Sequence, residues 1–265
     1  MTTRLETPFV GTIARQCDRC LAIVFAVAAL LSHGILPTAA DTVTWTGGGA
    51  DTNWGTGANW DSGSVPAAAD TAMFTSTATV TLAANHTIEV INFGANTLTL
   101  SGTNALTLNP AGAGNIVGTS GGVLRIAAGA MLDVNGRTHS GNEPYIIEIA
   151  GSGVGGAGAM VNRGGSLTNT NGFSMLRLTA DAAIGGSGRL DFGSGGWIDS
   201  QGYTLTKTGT NDTWLSSSAY NAANPSGTTN LPEVIVNGGL FGLQASSVLA
   251  SSSNVTVNAA GRLGT

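Results

Sequence analysis

From about residue 43 onward the chain is written in strands of only four or five residues, and nearly every gap between them holds Gly, Asn or Ser-Gly. Such runs include ATVTL (78–82), TIEVI (87–91), TLTL (97–100), ALTL (105–108), VLRI (123–126), MLDV (131–134) and YIIEI (145–149). MLRL (175–178), RLDF (189–192), YTLT (203–206), EVIV (233–236) and NVTV (254–257) continue the pattern. No window there carries apolar residues at helical spacing between caps. A unit such as TLTL puts its Leu side chains on one side of the strand and its Thr side chains on the other. Burying a Leu stabilises by roughly 1.5–3 kcal/mol, while ordering each residue costs about 1–2 kcal/mol. One such strand cannot stand alone. Stacked copies, each touching those above and below, supply the missing stability. The expected fold is therefore all-β: a right-handed parallel β-helix (β-solenoid) preceded by a signal-peptide helix. The competing all-β arrangements are a sandwich and a closed barrel, which favour longer strands and fewer glycines.

Composition agrees with that expectation and removes some functions. Of 265 residues, 40 are Gly and 42% are apolar, so there is material both for tight turns and for a core. Charged residues make up only 9%, the formal net charge is −5, and Lys207 is the single lysine. A nucleic-acid partner needs a dense Lys/Arg face, and none is written here.

Residues 1–40 read as an address rather than as fold. Arg4, Arg15 and Arg19 form a basic opening, LAIVFAVAALL (21–31) an apolar stretch, and PTAA (37–40) a cleavage site after Ala40. Ser32, His33 and Gly34 interrupt the apolar run, which is short of the roughly 20 residues a spanning helix needs. Cys17 and Cys20 lie inside the segment expected to be removed, so the mature chain would hold no cysteine. The expected organisation is a signal peptide over 1–40, a Trp-rich N-terminal cap over 41–76 and solenoid repeats over 77–265. The segment SSAYNAANPSGTTNLP (217–232), with two Pro and no alternation, reads as a loop leaving the column.

The most distinctive stretch is WTGGGADTNWGTGANWDSGSVPAAADTAMF (45–74). Its landmarks are Trp45, Gly47, Gly48, Asn53-Trp54, Asn59-Trp60, Pro66, Asp70 and Phe74. It resembles the N-terminal motif of bacterial autotransporter-type surface proteins that carry autotransporter-associated β-strand repeats. EVIVNGGLFGLQASSVLASSSNVTVNAAGRLGT (233–265) is similar to the repeat itself, and LTKTGTNDTWLSS (205–217) to the Thr-Lys-x-Gly strand that opens it, departing at Asn211 and Asp212. The resemblance covers about 75 residues. It implies an exported passenger β-helix at, or released from, the outer surface: a structural or adhesive rod whose partners are extracellular glycans or host or neighbouring cell surfaces. A protein of that kind carries a C-terminal membrane barrel, whose long alternating strands are absent from this sequence. Membrane association is thus expected only through the signal peptide or a C-terminal anchor outside the sequence.

Two readings compete at the Trp-rich end. Trp45, Trp54 and Trp60, interleaved with Asn53 and Asn59, make either a carbohydrate platform or a cap over the open end of the core, and aromatic bulk favours the cap. The enzymatic alternative is a polysaccharide lyase or hydrolase on a β-helix. It needs clustered carboxylates with a basic residue nearby, whereas Asp133, Glu148, Asp191, Asp199, Arg125, Arg177 and Arg189 are scattered over different strands. His86 and His139 are far apart, and neither sits in a nucleophile-elbow context. GGSGRLDFG (185–193) has Leu190 where a calcium-binding nonapeptide needs Asp. Asn85, Asn211 and Asn254 begin N-x-S/T sequons. No catalytic, cofactor or metal residues are assigned.

Overall fold

The computed structural model describes residues 40–109, 116–137, 145–168, 172–215, 231–243, 249 and 253–265. The expected signal segment, His139 and nearly all of the expected 217–232 loop lie outside them. Residues 40–265 form one compact unit.

That unit is a parallel β-helix. The chain winds through successive faces, and each strand pairs in parallel with the strand one turn on. A first face stacks Thr42–Thr44, Thr71–Met73, Val90–Gly94 and Ile116–Gly118. A second stacks Ala78–Leu82, Thr97–Gly102, Val123–Ile126, Ile146–Gly151, the first half of Phe173–Gly186 and the end of Phe192–Asp199. A third runs from His86–Ile88 through Ala105–Leu108, Met131–Asp133, Met160–Asn162 and the second half of Phe173–Gly186. It continues through Thr204–Lys207 and Glu233–Val236 to Asn254–Val257. Over the later turns a fourth face stacks Asp212–Leu215, Gly239–Leu243 and Gly261–Gly264. The first two strands fall inside the stretch expected as a cap, so cap and column share a sheet.

Alternation within each strand becomes columns within the stack. On the second face Val80, Leu100, Ile126, Ile149 and Leu178 are in register and fully buried, and Leu98, Leu124, Ile147 and Leu176 form a second inward column. Each inward side chain meets a like-sized neighbour above and below, which is how strands too short to fold alone persist. One expected strand is divided. TIEVI (87–91) turns a corner at Glu89, where the amides of Glu89 and Val90 both donate to Asp70 O, and its halves lie on the third and first faces.

The corners explain the Gly and Asn content. Gly102 has φ of 100°, and a Cβ there would run into the Leu82 backbone of the turn below. Asn side chains tie turns together: Asn104 donates to Leu82 O, Asn135 to Leu108 O, and the buried Asn162 accepts from the Gly136 amide and donates to Arg189 O. The turn length varies, from 19 residues between Thr71 and Val90 to 31 between Gly151 and Ala182. Helical content among the described residues is limited to the single 3-10 turns Gly57–Asn59 and Val154–Gly156.

Candidate functional site

The Trp-rich segment folds back onto the first turn. Trp45, Trp54 and Trp60 are 8%, 0% and 2% exposed. Trp60 stands edge-on to both other indoles at 5.0 Å, and Phe74 closes the cluster at about 6 Å. Trp60 Nε1 donates to Trp54 O at 2.8 Å. The polar residues between them hold the loop rather than reach outward. The buried Asn59 accepts from the Gly49 amide and donates to Asp51 Oδ1 and Asn53 O. Asn53 accepts from the Gly55 amide, and Asp61 from the Thr44 amide. The Asn53 amide holds the Asp51 carboxyl below the ordinary aspartate range, and the Thr44 amide does the same for Asp61. With their faces buried, these indoles present no open plane on which a sugar could stack.

The scattered carboxylates do come together, because the stack aligns strands far apart in sequence. Thr99, Arg125, Glu148, Arg177 and Asp199 occupy one outward column of the second face. Charges alternate along it. Arg125 Nε lies 2.7 Å from Glu148 Oε2, Arg177 Nη1 lies 3.4 Å from Glu148 Oε1, and Arg177 Nε lies 3.3 Å from Asp199 Oδ2. Gln201 Nε2 ends the ladder by donating to Asp199 Oδ2 at 2.6 Å. Glu148 and Asp199 are two turns apart, about 9–10 Å at the usual strand spacing, and Arg177 fills the space between them. A carboxylate that serves as general acid must hold a proton facing a substrate; here guanidinium groups occupy that space.

Two further acids are arranged alike. Asp133 is 3% exposed and accepts from the amides of Asn135 and Arg163, with Arg163 Nη1 at 3.5 Å from its other oxygen. Burial raises its pKa, with the amide bonds and Arg163 acting against that rise. Asp191 is fully buried, meets Arg189 at 2.8 Å and accepts from the Trp214 amide. A shallow groove of about 250 Å³ also lies on the third face, where Ser152, Asp181, Ala183, Thr206, Thr208 and Asn237 surround a floor of small side chains. Among the described residues no cluster of His, Cys, Asp or Glu has the grouping of a metal site. Of the sequon residues, Asn211 is buried and Asn85 accepts from the Ala105 amide.

Two residues stand out that the sequence reading did not single out as sites. Lys207 occupies an inward position in the column Leu106, Leu132, Met160, Ile184, Lys207, Val236. Its Nζ donates to Thr208 O at 2.6 Å and Gly238 O at 3.2 Å, and burial pulls its pKa down to about 8. Trp214 faces outward on the fourth face, half-buried. The alternation of TLTK and DTWL carries both orientations, but a lysine is ordinarily assigned outward, and Trp214's neighbours depend on register.

The fold and these ion-pair ladders define the chain as a parallel β-helix, a class that hosts both rods and enzymes and does not decide between them. Compared with protein-family models, curated proteins and solved structures, the chain finds no match.

Proposed function

We propose that this chain is the passenger column of an exported bacterial surface protein of autotransporter type, a rigid rod that spans distance and presents contacts outside the cell. The observation that carries this reading is the register itself. Inward apolar columns run on from turn to turn while the outward acids are tied to arginines one turn away. Such a surface is suited to length and endurance. The signal-like opening with its break after Ala40 supports export, and the Trp45–Phe74 and 233–265 motifs support the kinship.

The test is to express the full chain in a Gram-negative host, fractionate the cells and sequence the N-terminus of the product. Export with a new N-terminus at Asp41 and resistance to added protease are the expected results. Cytoplasmic retention with residues 1–40 intact overturns the reading. So does release of reducing ends from a polysaccharide panel that Glu148→Gln or Asp133→Asn abolishes.

A further inference from the structure

We infer that the groove on the third face binds an amino sugar, with Asp181 taking the ring's ammonium group and Ser152, Thr206, Thr208 and Asn237 its hydroxyls. The inference deepens the rod reading, resting on it only for the ligand's being extracellular.

The groove follows from register. Thr204 and Thr206 alternate with the inward Leu205 and Lys207, so the threonines face outward. One turn earlier Ala183 lies beside Thr206, and this small outward side chain leaves a depression between larger neighbours. One turn earlier again, the chain leaves the sheet as a glycine-rich loop, closed where the Gly158 amide donates to Ser152 O at 2.8 Å. Ala157 O of that loop accepts from Thr208 Oγ1 at 3.4 Å and rests against Gly185, where a Cβ would collide with it. The loop is thus pinned to the sheet. Ser152 and Gly156 form one wall of the groove, and Thr206, Thr208 and Asn237 the other. Thr208 donates to Ala157 O and keeps its lone pairs, while Asn237 accepts from Asn258 and keeps its amide donors.

Charge then selects the ligand. Among the described residues lining the groove, Asp181 alone is charged. It is exposed, and its Oδ1 accepts from the Thr204 amide at 2.9 Å. Glu233, also exposed, follows on the same outward column and accepts from Thr204 Oγ1. It stands two turns from Asp181, about 9–10 Å at the usual strand spacing. Glu148, Asp199, Asp133, Asp191 and Asp212 each have an arginine; among the described residues Asp181 and Glu233 have none. Lys207 lies between Thr206 and Thr208 but faces inward, its Nζ held on Thr208 O and Gly238 O. The groove therefore offers a cation an exposed carboxylate that no side chain neutralises. A carboxylate bonds an ammonium strongly, and the hydroxyl and amide groups beside it suit a sugar's hydroxyls. A lysine side chain would bring the ammonium but only methylenes to meet those groups. The volume of about 250 Å³ is below the roughly 300–1,000 Å³ of drug-sized sites, which suits a short stretch of sugar.

The test titrates the purified full chain with fully deacetylated chitohexaose, its N-acetylated counterpart, cellohexaose and hexalysine, at physiological salt and a mildly acidic pH that keeps the amines charged. The deacetylated oligomer binds, and the N-acetylated form and cellohexaose bind about tenfold more weakly or less. Asp181→Asn, which keeps an acceptor for the Thr204 amide, weakens binding by a similar factor. Asp61→Asn, the same charge change at the Trp-rich segment, leaves it unchanged. Amide spectra of the labelled, unmodified protein decide the matter even if a variant misfolds: the shifts caused by the oligomer concentrate on Ser152, Asp181, Thr206 and Thr208. No binding of the deacetylated oligomer overturns the inference. So do equal binding of the N-acetylated form, tighter binding of hexalysine, an equal loss in Asp61→Asn, or shifts that spare the groove. None of these outcomes bears on export or protease resistance, so failure of the groove and failure of the rod reading are separable.

Discussion

The first and last described turns of the column bury matching inward positions to different degrees. At the N-terminal end the segment 52–54 adds itself to the outer edge of Ala78–Leu82, with Thr81 donating to Thr52 O and Trp54 donating to Thr81 O. Trp45, Trp54, Trp60 and Phe74 pack into the core cluster behind that edge. At the last described turn, Leu263 is in register with the fully buried Phe241, and Val257 with the fully buried Val236, yet they are 45% and 43% exposed. The same inward position is core in one turn and surface in the next. A solenoid position is therefore buried by its neighbours and not by its own strand.

The sharpest way to break that comparison is at the aromatic cluster. Trp54→Ala removes a fully buried indole from the core cluster, and a loss of about 3–5 kcal/mol is expected. Urea unfolding of the variant measures it. A loss below about 1 kcal/mol would mean that the aromatic cluster does not close the column.

The next effect separates the two halves by pH. Lys207 is buried in an apolar column with a pKa near 8, against about 10.4 in an unfolded chain. Between those values the unfolded chain holds the proton that the folded column has released. The unfolded state binds more protons, so stability rises with pH from about 8 to 10, by up to about 3 kcal/mol. Below pH 8 both states are charged and the burial cost is present in full. Unfolding curves at several pH values in this window, beside Lys207→Met, check it. The rise must vanish in the variant. If the variant keeps it, another group is responsible.

His86 gives the N-terminal half a smaller effect of the same sign on the acid side. It stands at the start of the column that later contains Lys207, with its ring 5.8 Å from Trp54, and burial lowers its pKa. As pH falls through the unfolded value of about 6.5, the unfolded chain takes up a proton that the folded site resists, and stability is lost. The pH-dependent loss should be smaller in His86→Gln than in the unmodified protein. Equal losses in both would place the acid sensitivity in the carboxylates.

How much of this was legible beforehand follows from what alternation does and does not encode. Alternating Leu and Thr in TLTL and ALTL, with Gly and Asn between, announces stacked strands because the side-chain period is fixed at two. Register is another matter. Arg125, Glu148, Arg177 and Asp199 meet only because separations of 23, 29 and 22 residues each amount to one turn, and no local rule fixes those lengths when corners take insertions. The same gap hid the glycine beside Trp214, since Gly242 lies one irregular turn away. TIEVI misled for a local reason: its alternation continues through Glu89, whose amide bonds to Asp70 O turn the chain onto another face.

The smallest expected effect is read at the last described turn. Leu263 occupies the register position of Phe241 but is nearly half exposed, and its strand Gly261–Gly264 has a sheet partner on one side among the described residues. Truncating an inward Leu inside a stack costs about 2–5 kcal/mol. Leu263→Ser should cost no more than about 0.5 kcal/mol, as surface substitutions do. Phe241→Ala, one turn inward on the same column, should cost several times more. Unfolding curves of the two variants give the ratio directly. Equal costs would mean that Leu263 is covered in solution as fully as Phe241 is within the stack.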